Sequence, residues 1–352
     1  MTKLLDPAPS EASPPPPLVG GPRPPGAIAD RAFRYVAFFA GVLVLVVLGL
    51  IIYATLKNSW DWFSTEGLSG VLSLDWIPSE GKFGAGSLII MTLMVAAIAL
   101  IIAVPISVGI ALFITEVMPR RGRLPIIFVI DLLAAIPSVV FGLWMLKQVA
   151  PVLVDVYDTV HSAVNGIPIL EDVFGEPSAS GLAIMTAGIV VAVMITPIVT
   201  AITREVFATC PQAQKEATLA MGATRWEMIR TAILPYSRAG IAGASMLGLG
   251  RALGETIAVV LVIGNAPTIG HQIFDQGYSL AAVIANEFGE AASIPVYSSA
   301  LFAAGLLLFV VTLIINALAR QVVNLGDPER RAARARRKAR RNVRGAPEGG
   351  AA

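Results

Sequence analysis

Six runs of this chain, near 35–56, 87–115, 124–150, 180–202, 236–263 and 296–319, are apolar over lengths that can cross a hydrocarbon layer of about 30 Å. No other feature constrains the fold as strongly, because a run of this length in lipid must satisfy its peptide groups within itself, as a helix does. Composition agrees, with 55% hydrophobic residues, 14% charged residues and a mean hydropathy of +0.74. The expected fold class is therefore all-α, a polytopic membrane protein of six transmembrane helices. The first run is too long for a signal-peptide core and lacks a small-x-small cleavage site at its end, so it is expected to remain as an anchor.

Orientation follows from the basic residues of the short loops, which are retained on the cytoplasmic side. Arg31 and Arg34 precede the first run, Arg120, Arg121 and Arg123 join the second to the third, and Arg204, Lys215, Arg225 and Arg230 join the fourth to the fifth. The alternate loops are acidic: Asp61, Glu66, Asp75 and Glu80; then Asp155, Asp158, Glu171, Asp172 and Glu176; then Asp275, Glu287 and Glu290. Both termini are thus expected in the cytoplasm, flanking a membrane domain over 31–323 whose long cytoplasmic loop covers 204–235.

Residues 1–30 include Pro14-Pro15-Pro16-Pro17 and Arg23-Pro24-Pro25, a composition that cannot bury a core and is expected to form a disordered arm. Residues 324–352 form an arginine-rich tail, with Arg330, Arg331, Arg334, Arg336 and Arg337 among its cations, which suits anionic membrane lipids and topology better than nucleic acid. Cys210 is the sole cysteine, which excludes an intrachain disulfide and a thiolate metal cluster.

Two runs carry charge where lipid would reject it. The fifth contains Gly248-Leu249-Gly250-Arg251-Ala252-Leu253-Gly254-Glu255-Thr256, and Arg251 falls about 24 Å along a helix counted from Pro235. On an unbroken helix Arg251 and Glu255, four residues apart, share a face and can pair, which lowers the cost of burying either. The pair reads either as a staple between helices or as a site where Arg251 meets a permeating anion, since a guanidinium grips tetrahedral oxyanions bidentately. Gly240, Gly243, Ala244, Gly248, Gly250 and Gly254 crowd the same segment and allow close helix packing. The third run carries Asp131 and then Ala134-Ala135-Ile136-Pro137-Ser138-Val139-Val140-Phe141-Gly142-Leu143-Trp144. Pro137 predicts a kink or break, with Ser138 able to satisfy a freed carbonyl and Asp131 able to reach Arg251 across helices.

Between the fourth and fifth runs lies Gln214-Lys215-Glu216-Ala217-Thr218-Leu219-Ala220-Met221-Gly222-Ala223-Thr224-Arg225-Trp226, followed by Ile233-Leu234-Pro235. It reads as two short helices joined at Gly222, which can enter left-handed backbone, with Pro235 expected to block continuation of the second. Nothing in the chain resembles a nucleotide-cradling Gly-x-x-x-x-Gly-Lys-Ser/Thr loop, a Gly-x-Ser-x-Gly elbow or a His-Glu-x-x-His motif. Its two histidines, His161 and His271, are expected in separate outward loops. No catalytic residue, metal site or cofactor is expected in this chain.

The Glu-Ala, glycine and Ile-Leu-Pro elements of that segment resemble the EAA loop of ABC importer permeases. With the Ala134–Trp144 and Gly248–Thr256 runs, the chain is similar over roughly 30–323 to the phosphate ABC transporter permease family. Thr218 and Met145 depart from the residues most frequent there, alanine and glycine. The resemblance implies the type I importer permease fold in a prokaryotic plasma membrane, with Glu216, Ala217, Gly222 and Arg225 seated in a groove of an ATPase. It assigns Arg251 and Glu255 to a phosphate path, beside which Asp131 and Ser138 are further candidates. The implied partners are a second, similar permease (PstA-like), two ATPase copies (PstB-like) holding ATP and Mg, an external phosphate-binding protein (PstS-like), and inorganic phosphate. An importer of sulfate or molybdate and an ATP-independent secondary transporter or channel remain the competing readings; an intramembrane enzyme lacks a recognisable nucleophile and base.

Overall fold

The computed structural model describes residues 27–266, 272–291 and 294–326. Contacts divide the chain into two units, Met1–Tyr53 and Ala54–Ala352. Helix α1 (Ala27–Asn58) supplies the described structure of the first unit, and its apolar side chains are exposed all round. Asp30 in its first turn and Lys57 in its last complement the helix dipole. The helix starts inside the expected arm, taking in its last four residues; the rest of the arm, and the tail from 327 on, lie outside the described residues.

The second unit continues through α2 (Trp60–Leu72), a two-stranded antiparallel hairpin of β1 (Trp76–Ile77) and β2 (Lys82–Phe83), α3 (Gly86–Leu112), α4 (Arg120–Ala135), α5 (Ser138–Trp144), α6 (Ala150–Val164) and α7 (Pro168–Phe174). It then runs through α8 (Ile184–Ala208), α9 (Gln212–Ala220), α10 (Arg225–Met228), α11 (Leu234–Leu253), α12 (Ile257–Val262), α13 (Leu280–Ala291) and α14 (Pro295–Gly326). Of three single π turns, Met145–Val149 and Ile229–Ile233 join helices without breaking them, whereas Phe113–Val117 ends the α3 helix before extended backbone at Met118 and Pro119. The all-α membrane fold holds, with five described helices long and apolar enough to cross a bilayer: Ala29–Asn58, Gly86–Val117, Ser138–Val164, Ile184–Ala208 and Pro295–Gln321.

The third run breaks at Pro137 as expected, but the bounds of its spanning helix, and the course of the fifth run, differ from the sequence reading. Pro137 breaks the third outright, because its ring drives the preceding residue out of helical backbone; Ile136 has ψ 131° and Pro137 ψ 140°. The spanning helix starts afresh at Ser138 and reaches Val164, so Asp155, Asp158 and His161 lie on α6 instead of in a loop. His271 lies outside the described residues. The fifth run is interrupted at Gly254-Glu255-Thr256, where the amides of Gly254 and Glu255 turn back to the Arg251 and Ala252 carbonyls at 3.2 and 3.4 Å.

The main core is the interface of α3 and α8, lined by Ala96, Ala99, Ala103, Ala187, Val190, Val191 and Ile195. Small residues let these helices approach closely, which matters in lipid because packing rather than water exclusion drives association. At Gly188 an added Cβ would lie 2.3 Å from Ile98 Cγ2, so only glycine fits. A second core gathers Trp62, Trp76 and Phe83 against Tyr297, Ala300 and Leu301. There the Trp76 indole and the Tyr297 hydroxyl both donate to the Glu287 carboxylate, at 2.9 and 2.6 Å.

Candidate functional site

The loop at 212–235 folds as the expected helical pair, and its turn is held locally. Met221 ends α9, and Gly222 has φ +84° with its amide donating to the Leu219 carbonyl at 3.0 Å. Thr224 and Glu227 then form a reciprocal cap: the Glu227 carboxylate accepts from the Thr224 amide at 2.7 Å, and Thr224 Oγ1 accepts from the Glu227 amide at 3.3 Å. The Thr224 amide, and after it the Thr224 hydroxyl donating to the same carboxylate at 2.9 Å, hold the Glu227 carboxyl below its ordinary value. Pro235 does not stop the second helix. The π turn at Ile229–Ile233 ends one residue, Leu234, short of it and α11 continues through the proline, because the widened turn absorbs the missing donor and the ring.

None of α9 is buried, and Glu216, Ala217 and Arg225 are exposed. Around them Met221 is 82% and Trp226 63% exposed, apolar side chains at the tip of an otherwise polar hairpin. The base of the hairpin is tied down. Lys215 Nζ meets Glu116 Oε1 at 2.6 Å, with both side chains mostly buried, so α9 is clamped to the π turn that ends α3. Arg123 donates from Nε and a terminal nitrogen to the carbonyls of Met118 and Thr115, at 3.1 and 2.6 Å, and closes the same turn. Cys210 is buried beside it among Phe207, Met228 and Ile233, and burial pushes its thiol up.

The charged residues of the fifth run are arranged differently from the sequence expectation. Arg251 stands in the last turn of α11, exposed on the wall of a cavity of about 920 Å³ lined by α8, α11 and α14. Glu255 lies past the helix end and aims elsewhere, its carboxylate 3.5 Å from the Ala258 amide at the start of α12. Because Gly254 ends the helix, the four-residue spacing no longer defines a common face, and the two do not pair. Nor does Asp131 reach Arg251; the ion pairs among the described residues are Lys82–Glu80 and Lys215–Glu116. Asp131 is exposed on α4 and Ser138 is the first residue of α5, and neither lines the cavity.

The glycines of α11 serve two purposes. Gly240 and Gly248 face α8, where an added Cβ would fall 2.4 and 2.8 Å from side-chain atoms of Val206 and Val199. Gly243 and Gly250 meet nothing within 4 Å and line the cavity instead. Phe141 and Gly142 of the third run are buried, with Gly142 pressed on Ala258 and Leu261 of the α12 segment, and Met145 packs into the main core. Sequence reasoning missed Glu116 as the partner of Lys215, and it missed Arg320, which lines the cavity from α14. The available signal was an acid and a base isolated at the ends of apolar runs.

Residues 103–324, which hold both the hairpin and the cavity, match the family described as binding-protein-dependent transport system inner membrane component. The chain belongs to that family. This transport component is thus a multi-pass membrane subunit and not an enzyme. It is 44% identical over 298 residues, 84% of this chain and 90% of the relative, to the phosphate transport system permease protein PstC of Mesorhizobium japonicum. It is 40% identical over 321 residues, 91% of this chain and 96% of the relative, to the protein of the same name from Xylella fastidiosa strain Temecula1. A solved structure of the MetNI methionine ABC transporter in an inward-facing conformation covers 69% of this chain and 94% of its own, at 16% identity and a TM-score of 0.46.

Proposed function

We propose that this chain is the permease subunit of an ATP-driven phosphate importer and forms half of the translocation path. The observation that carries the reading is the 44% identity to a phosphate permease along 84% of the chain. Arg251 supports it on physical grounds, because an unpaired guanidinium on a cavity wall is a ready partner for an oxyanion.

In this reading the chain works with a second, similar permease, two cytoplasmic ATPases that hold ATP and Mg, and an external phosphate-binding protein. The exposed tip around Met221, Gly222 and Trp226, with Glu216, Ala217 and Arg225, docks an ATPase. When the ATPases close on ATP the hairpin moves with them, and the Lys215–Glu116 clamp passes that displacement to α3. Because α3 packs along α8 and α8 walls the cavity, the movement reaches Arg251 through contiguous packed helices. Both termini lie in the cytoplasm, and the fifth crossing is made by α11 and α12 together, giving six crossings. Glu255 and the polar break at Gly254–Thr256 give the ion a hydrated stretch in place of a continuous helix, and Asp131 and Ser138, which flank the break in the third run outside the Arg251 cavity, would meet the ion only beyond that cavity.

Uptake of radiolabelled phosphate by proteoliposomes holding the complete transporter, its binding protein and internal ATP tests the reading. Phosphate should accumulate only with ATP, and sulfate should not compete. Accumulation of sulfate or molybdate alone, or uptake without ATP, overturns it.

A further inference from the structure

The cavity beside Arg251 carries a second cation that the phosphate reading does not use. Its walls are one face of α11, namely Gly243, Met246, Leu247, Gly250 and Arg251, and one face of α14, namely Leu313, Asn316, Ala317 and Arg320, with Ile198 of α8 behind them. The numbering on each helix steps by three and four, so each set is a single stripe. Gly243 and Gly250 contribute no side chain, which leaves the space open. Neither guanidinium is in an ion pair, the pairs among the described residues being Lys82–Glu80 and Lys215–Glu116.

Consecutive spans run in opposite directions. The stripe on α11 ends at Arg251 and that on α14 at Arg320, so the two cations mark opposite ends of the cavity, with Asn316 one turn from Arg320. With the C-terminus in the cytoplasm, as the proposed topology has it, the Arg320 end is the cytoplasmic mouth. Charges in a membrane are retained where they face a polar path or a partner, and a single strong site slows release whereas several weaker ones pass an ion along.

We infer that Arg320 and Asn316 form a second station for the oxyanion, which receives phosphate from Arg251 and hands it to the cytoplasm. The guanidinium supplies charge and paired donors, and the Asn316 amide supplies a neutral donor that can be released quickly. This rests on the phosphate reading and extends it to the exit step. A lipid headgroup offers the same phosphate chemistry, but from the cytoplasmic surface it reaches the Arg320 end and not Arg251, so inorganic phosphate is the occupant that uses the whole cavity.

The test uses the complete transporter in proteoliposomes with a Cys210→Ser background, into which Arg320→Cys is introduced. Phosphate uptake should fall at least about tenfold, the low end of what a focusing charge contributes. A cationic aminoethyl thiosulfonate adduct at the new cysteine should restore most of it, an anionic sulfonatoethyl adduct should not, and inorganic phosphate should slow both modifications. Asn316→Leu should lower the maximal rate and leave the external phosphate concentration for half-maximal uptake unchanged. Parental uptake by Arg320→Cys, or equal rescue by the two adducts, overturns the inference. So does a defect seen only in vesicles of anionic lipid, which assigns Arg320 to headgroups. Parental vesicles that carry sulfate instead of phosphate refute the underlying reading, an outcome separate from all of these.

Discussion

Lys215 and Arg251 are both cations on helices of one permease unit, yet one is paired and sheltered and the other is unpaired on a cavity wall. Lys215 meets Glu116 at 2.6 Å and fastens the hairpin to α3. Arg251 has lost the partner that spacing offered it, because the helix stops at Gly254. The contrast separates two uses of charge. A satisfied pair of opposite charges fixes geometry and can carry a displacement, whereas an unsatisfied guanidinium keeps its donors for something that comes and goes.

The comparison breaks most sharply at Arg251. Arg251→Gln should abolish phosphate uptake while the complex still purifies intact; transport at the parental rate would reduce Arg251 to a packing residue. The clamp should behave in the opposite way. Lys215→Glu places two carboxylates together where few waters reach, at a cost of about 3 kcal/mol, and should lower both complex yield and coupled ATP hydrolysis. The exchange of both, Glu116→Lys with Lys215→Glu, should recover much of each. If the double variant is as poor as the single, the clamp is not a simple pair.

Smaller effects sharpen the hairpin side. Gly222→Val meets open space but must hold φ +84°, which costs a residue with a Cβ about 1–2 kcal/mol. Capture of the ATPase should weaken while uptake-independent folding of the spans persists, and unchanged capture would refute docking at this turn. Thr224→Ala removes the cap, worth about 1 kcal/mol to the second helix, and should raise amide exchange from Arg225 to Glu227. The cap also has a pH signature. The folded Glu227 carboxyl titrates below its ordinary 4.5, so its contribution is present above that value and is lost as pH falls through the lowered one. Protection factors at these amides should therefore be flat from neutral pH down to about 5 and drop only below it. A drop already at pH 6 would point to a different group.

Much of the hairpin was legible because its determinants are adjacent in the chain. A glycine between two helix-forming stretches turns whatever surrounds it. Pro235 misled for the complementary reason. Its local preference is to end a helix, and the π turn before it is a tertiary accommodation in which Ile229, Ala232 and Ile233 are buried against Ala111 and Phe207. The Arg251–Glu255 pair misled in the same way, since a spacing of four implies a shared face only if the helix persists.

From the amino-acid order alone follow the apolar runs, the break at Pro137, the left-handed turn at Gly222 and the absence of a nucleotide loop, because each rests on energies within a few residues. Packing alone settled which charges pair, since Lys215 and Glu116 are 99 positions apart. It likewise settled which glycines of α11 are filled by Val199 and Val206 and which open onto the cavity that Arg251 and Arg320 line. Those outcomes depend on which helix faces meet, a property of the assembled chain and not of any segment within it.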